Sequence, residues 1–218
     1  MKKYPEDFNK WTTQLVEDAF GLKRTKINAY LSEWLDCDTE VSDEENRAAW
    51  RLQDHAQDRI AYWNESDVKF KLLGPLMQIV QLDTDKFASY TEHRIQEILT
   101  TVDGQSLKVK GKPDLMIAKG RYEAELPYFC FQEYKKQRGN PSDPLGQVLV
   151  AMLIAQKLNN GQLPVVYGSF SEGREWFFLV LQGNEYAVSR TFLLIEPQGI
   201  TDIIQKMKCL KLLITHQL

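Results

Sequence analysis

Asp114 stands directly behind Pro113, and nineteen residues further on Glu133 and Lys135 flank a single tyrosine, Tyr134. Residues two apart in an extended chain project from one face, so Glu133 and Lys135 would share a site while Gln132 and Tyr134 face the other way. The preceding "PYFCF" is apolar on both faces, so the pair falls where a buried central strand emerges at its C-terminal end, the place where α/β sheets bind ligands. Asp114 opens a second β-rich run, "DLMIA", and if the two strands are neighbours its carboxylate approaches that of Glu133. Two converging carboxylates repel unless a cation lies between them, and a hard, oxygen-preferring ion such as Mg²⁺ suits them. Such a set can hydrolyse a phosphodiester: the metal polarises a phosphoryl oxygen and lowers the pKa of a bound water, and Lys135 offsets developing negative charge. The competing reading is a surface salt bridge at a strand end. Asp67-x-Lys69 is a second acid-x-Lys triplet, but it precedes the Pro-Asp pair and falls on a predicted helix, which sets it apart.

The elements that must position these residues follow from hydrophobic periodicity. Phe8, Trp11, Leu15, Ala19 and Phe20, then Ile27, Tyr30, Leu31 and Trp34, recur at helical spacing and predict two short helices separated near Gly21. The stretch 33–45, "EWLDCDTEVSDEE", has seven acids and no base, and reads as a solvated turn into the next helix. A long helix to about Asn64 and another from about Ser66 follow, with Gly74-Pro75 expected to break or kink the second. After Asp85 the pieces "KFASYTEHRIQEIL", "SLKVK", "PDLMIA" and "YFCFQEY" predict three consecutive strands of one sheet. Ser142-Asp143-Pro144 supplies an N-cap and a proline for "LGQVLVAMLIAQKLNNG", a helix apolar nearly all round and hence buried. Strands "PVVYGSF", "EWFFLVL" and "EYAVSRTFLLI" and a closing amphipathic helix complete an α/β arrangement, a mixed sheet flanked by helices.

A chain of 218 residues, 43% apolar, can build a sizeable core, which excludes disordered and fibrous classes. Net charge is −3, so any contact with nucleic acid must come from a local patch. Residues 108–138 offer one, with eight bases against four acids, and Lys112, Lys136 and Arg138 are its candidate phosphate contacts. The alternative is that the lysines of "KVKGK" are the solvent face of an edge strand. Cys37, Cys130 and Cys209 are widely spaced without a C-x-x-C pair, and the three histidines are scattered, so neither a disulfide framework nor a structural zinc site is expected. "MKKYPEDFNKW" has no apolar run behind its lysines, and the longest apolar run, "VLVAMLIA", is too short to span a bilayer. A cytoplasmic protein without a membrane partner is expected.

Order, spacing and secondary structure together resemble the PD-(D/E)XK nuclease superfamily of restriction endonuclease-like proteins. Pro113-Asp114 and Glu133-Tyr134-Lys135 match its signature, and "NESDVKFKLLGPLMQIV" is similar to the first motif of a bacterial, restriction-subunit-like branch. "DPLGQVLVAMLIAQ" resembles the motif helix of members that carry a glutamine there. The resemblance implies a core of helix, three-stranded meander, helix and strand at residues 63–218, behind a helical N-terminal extension at 1–62. It implies Mg²⁺, with Mn²⁺ as substitute, held by Asp114, Glu133, the backbone carbonyl of Tyr134, and Glu65. Lys135 would orient or activate the attacking water, and Gln147 would contact the site or substrate. Structural alternatives stand beside two of these: Glu65 as a carboxylate favoured at a helix N-terminus, and Gln147 as a partner for backbone groups. The implied activity is metal-dependent endo- or exonuclease hydrolysis of nucleic acid, DNA first, in restriction, repair or a mobile element. A different class of reading is a non-catalytic or partner-dependent binding module on the same fold. The N-terminal region, which matches no nuclease motif, would then engage a protein partner or a second copy.

Overall fold

The computed structural model describes residues 3–120, 123–125, 127–134 and 143–216, without the side chains of Glu65, Tyr128 and residues 130–134. In chain order these form α1 (Thr13–Phe20), β1 (Lys23–Arg24), α2 (Ala29–Asp36), α3 (Asp43–Gln57), α4 (Glu65–Val68), α5 (Gly74–Val80), β2 (Phe87–Thr91), β3 (Ile95–Thr100), β4 (Ser106–Gly111), β5 (Leu115–Lys119), β6 (Pro127–Tyr134), α6 (Pro144–Asn159), β7 (Val166–Glu172), β8 (Glu175–Gln182), β9 (Glu185–Val188), β10 (Phe192–Leu193) and α7 (Gly199–His216). The main sheet has eight strands in the order β1-β9-β8-β7-β6-β5-β2, with β10 also paired to β8. It is mixed: β6 and β7 run parallel, as do β1 and β9, while β5 runs antiparallel to both β2 and β6.

Strand alternation divides the core into two layers. Leu115, Ile117, Phe129, Tyr167 and Phe178 bury one face of the sheet against apolar residues of α2, α3, α5 and α7. Met116, Ala118, Val166, Leu179 and Leu181 bury the other against α6 and α1. Helix α6 is buried on nearly every side, as its apolar sequence predicts, and its start and end follow the sequence too: the Asp143 carboxylate accepts from Gly146 N–H at 2.8 Å, and Asn160 closes the helix in a left-handed conformation. Trp176 and Tyr186 are core residues at 1% exposure each.

The sheet departs from the expected meander at one point. "KFASYTEHRIQEIL" is not one strand: the chain turns after Thr91, with Glu92 in the left-handed region at φ 49°, and restarts as β3. Strand β2 stays in the main sheet, while β3 pairs with β4 as a separate two-stranded hairpin, Ile95 opposite Gly111 and Thr100 opposite Ser106. The hairpin forms because Ile95, Leu99, Leu107 and Val109 give it an apolar face, buried with residues of α6. The three consecutive core strands are therefore β2, β5 and β6, with the hairpin inserted between the first two.

The first sixty residues share both layers with the rest of the chain. Strand β1 extends the main sheet at β9, Trp11 lies in the α6 layer, and Trp34 lies in the α7 layer with its indole N–H donating to Lys206 O at 2.7 Å. Tyr186 on β9 donates its hydroxyl to Glu17 on α1 at 2.7 Å, and burial together with that carboxylate raises its pKa. The acids of 33–45 are mostly exposed, as a solvated stretch predicts, and two of them also serve the fold: Ser42 and Glu45 form a capping box on α3, Glu45 meets Lys208 at 2.8 Å, and Asp38 accepts from Gln205. Asp143 also accepts from Thr13 N–H at 2.7 Å, so a single carboxylate serves the first turns of α1 and α6. Their approach requires Gly146, where a Cβ would lie 2.4 Å from Thr12 C and 2.5 Å from Thr13 N. Gly146→Ala is expected to lower stability by about 1–3 kcal/mol through this overpacking, read by chemical denaturation.

Cysteine spacing predicted no disulfide, yet the sulfurs of Cys37 and Cys209 are bonded, joining the end of α2 to α7 across 172 residues of sequence. The pairing is set by helix packing and leaves no local motif, so it could not be read from the chain. Cys37→Ser should cost about 2–5 kcal/mol of stability in oxidising buffer and nothing in the presence of a reductant, measured by urea unfolding under both conditions. Among the described residues no helix is long and apolar enough to cross a membrane.

Candidate active site

Residues 65–80 run as one continuous helical path, despite the Gly74-Pro75 pair expected to interrupt it. The adjustment is a π-turn over Lys69–Leu73, between α4 and α5, in which Gly74 N–H donates to Lys69 O, five residues back. Pro75 offers no N–H and crowds the carbonyl four residues before it, and widening the preceding turn relieves both problems. Leu72, Leu73, Leu76 and Val80 anchor this path against the sheet, and Lys69 lies at the start of the widened turn.

Lys69 reaches the sheet end where β5 begins. Its ammonium lies 2.8 Å from Asp114 Oδ1 and 2.7 Å from Glu92 Oε1. The Asp114 side chain is 7% exposed and that of Lys69 19%, whereas Glu92 opens to solvent at 57%. Backbone pairing fixes the carboxylates: Glu92 follows Thr91, which sits opposite Leu115, and Glu92 N–H donates to Asp114 O at 3.3 Å. A carboxylate this buried is stable in its ionised form only with a cation beside it, and the geometry supplies one.

Asp114 and the backbone of position 133 come to this same sheet end. Strands β5 and β6 are antiparallel neighbours with Leu115 opposite Phe131, so Asp114 lies one residue beyond that pair on β5 and position 133 two residues beyond it on β6. Position 133 is in register with Ser171 of β7, a polar residue at 3% exposure. The side chains of Glu133 and Glu65 are not among those described, and Lys135, Lys136 and Arg138 lie outside the described residues; the backbone of Glu65 begins α4, one turn before Lys69. Gln147 is 8% exposed in the first turn of α6, in the layer across the sheet from Lys69. Of the basic rim, Lys112 is exposed, Lys108 lies on the solvent side of the hairpin, and Lys110 is paired with Glu6 at 3.0 Å. Among the described residues no three His, Cys, Asp or Glu side chains come together as a metal group.

Sequence reasoning missed Lys69 and Glu92. The Lys69 triplet falls on a predicted helix, and the first part of that helical path lies over Asp114. A signal was present in its spacing of four from Glu65, which puts both on one helix face. Glu92 gave no signal, since its place depends on a left-handed turn at a residue that is not glycine. The chain matches no known family model and no curated protein sequence.

A double-mutant cycle on Asp114→Asn and Lys69→Met is expected to give a coupling energy of about 1–3 kcal/mol in thermal or denaturant unfolding. Lys71, paired with Asp67 at 2.6 Å, should show no coupling to Asp114.

Proposed function

We propose that the protein is a Mg²⁺-dependent nuclease of the PD-(D/E)XK, restriction endonuclease-like type, acting on DNA. The observation that carries this reading is Asp114, a buried carboxylate at the end of a central strand, already seated against a cation. Supporting it, the path from α4 and α5 through β2, β5, β6 and α6 to β7 has the order helix, three antiparallel strands, helix, strand, with the last strand parallel to the third. Carboxylate and carbonyl oxygens are the donor types this ion prefers, and the start of β5, after Asp114, lies beside the end of β6.

On this reading Asp114, Glu133, the Tyr134 carbonyl and Glu65 would hold Mg²⁺ or Mn²⁺. When bound, the metal would polarise the scissile phosphoryl group and acidify an attacking water. Lys135 would orient that water and offset the negative charge that develops on the phosphoryl oxygens. Gln147 would steady the site from α6, and Lys112, Lys136 and Arg138 would bind flanking phosphates, fixing register without reading sequence. The N-terminal helical region would carry any contact with a protein partner or a second copy. A cytoplasmic location belongs to the same reading, and in that reducing compartment Cys37 and Cys209 would be thiols.

The test is metal-dependent cleavage of single-stranded, double-stranded and branched DNA. Lys135→Ala should reduce the rate by about 100-fold or more with the fold intact, and equal rates for the two proteins would end the assignment. A second reading, a binding module that keeps the fold without the chemistry, is favoured by one feature: Asp114 is already neutralised by Lys69. DNA binding that resists EDTA, with no cleavage in Mg²⁺ or Mn²⁺, would select it.

A further inference from the structure

We infer that Lys69 is the resident counter-cation of Asp114, that a divalent metal must displace it to bind, and that Lys69 thereby sets the metal affinity of the site. The inference rests on the metal site proposed above and concerns a residue outside its signature.

Three features lead to it. First, the Lys69 ammonium touches Asp114 Oδ1 at 2.8 Å, so it occupies the space beside the oxygen that a metal would use. A Mg²⁺ ion bonds carboxylate oxygen at about 2.0–2.1 Å, and an ammonium on the same carboxylate would then face a double positive charge across a few ångströms of poorly screened interior. The two cations compete for one anion. Second, Lys69 has a second berth: Glu92 Oε1 holds the same ammonium at 2.7 Å and is itself open to solvent. On release from Asp114 the ammonium therefore keeps its Glu92 partner at the rim of the site. Third, the backbone of the lysine is held in place. Its backbone carbonyl accepts the hydrogen bond from Gly74 that defines the π-turn, and the next two turns are anchored by buried leucines.

The arrangement fits a centre in which Asp114 stays paired without metal and the ammonium is left to Glu92 when metal arrives. Lys69 is a positioning residue in this scheme. It holds Asp114 in its ligating place before the ion binds, and Glu92 keeps the ammonium at the rim afterwards.

The experiment is calorimetric titration of Mn²⁺, without nucleic acid, into wild type, Lys69→Met and Lys71→Met. Lys71→Met removes the same charge from the same helix but from the Asp67 pair. Lys69→Met should bind Mn²⁺ about tenfold more tightly than wild type, the size expected when a buried charge-assisted competitor is removed. Lys71→Met should stay within about twofold of wild type. Equal or weaker binding by a folded Lys69→Met, or the same tightening in Lys71→Met, overturns the inference. Should Lys69→Met not fold, the wild type decides: its lysine ¹⁵Nζ spectrum, with Lys69 assigned from Lys69→Arg, should lose the protected Lys69 ammonium signal as Mg²⁺ saturates the protein. Persistence of that signal at saturation overturns the inference. Absence of any Mn²⁺ or Mg²⁺ binding by folded wild type would instead remove the metal site itself, and the nuclease reading with it.

Discussion

Asp114 is a charge placed where water hardly reaches, at 6% exposure, and everything around it is arranged to make that tolerable. An isolated carboxylate in such a place would take up a proton or unfold its surroundings. Here the solution is a lysine brought in on another element, which fixes how the helical path 65–80 must lie over the sheet. The π-turn is part of the same arrangement: it accommodates Pro75 within the helical path and keeps Leu72, Leu73 and Leu76 in the core while the ammonium meets two carboxylates. Packing and charge are coupled at this point, since a shift of the helix that improved one would break the other.

The sheet end carrying Asp114 is built from long-range contacts. Strand β6 is hydrogen-bonded on both sides, antiparallel to β5 and parallel to β7, so its C-terminal end is held at a fixed distance from the start of β5. Helices cover both faces, and the extension fills part of each layer through Trp11 and Trp34. Residues that match no nuclease motif are therefore structural components of the same body. Of the acids in 33–45, Glu45 caps α3 and pairs with Lys208, and Asp38 accepts from Gln205, so part of that charge serves the fold.

What could be read from the chain was what depends on local period and local chemistry. The buried helix α6, with its Asp143 cap and its Asn160 stop, was legible because capping residues and a continuous apolar run are both local signals. Asp114 stands out in the sequence through its Pro-Asp dipeptide at a strand start, a local signal, and the fold buries it there. What escaped were features defined by tertiary approach. The Cys37–Cys209 bond, the parallel pairing of β1 with β9, the inserted hairpin and the meeting of Lys69 with Asp114 each join residues whose partners are far away in sequence. The left-handed Glu92 is a related case. Its backbone is unusual for glutamate, and the cost is borne because the turn sends β2 and β3 to different sheets.

The two-residue strand β1 has a consequence for the order in which the molecule can be assembled. Lys23 and Arg24 pair with Glu185 and Tyr186, Trp34 donates to Lys206, and Cys37 meets Cys209. On a ribosome, residues 23–37 find none of these partners until residues 185–209 have emerged. Trp34 must wait exposed while the central strands form, and the closing of β1 onto β9 is left to the end of folding. Contacts between such distant parts of a chain are slow to form. The waiting interval, more than the finished fold, is where this protein depends on protection from aggregation.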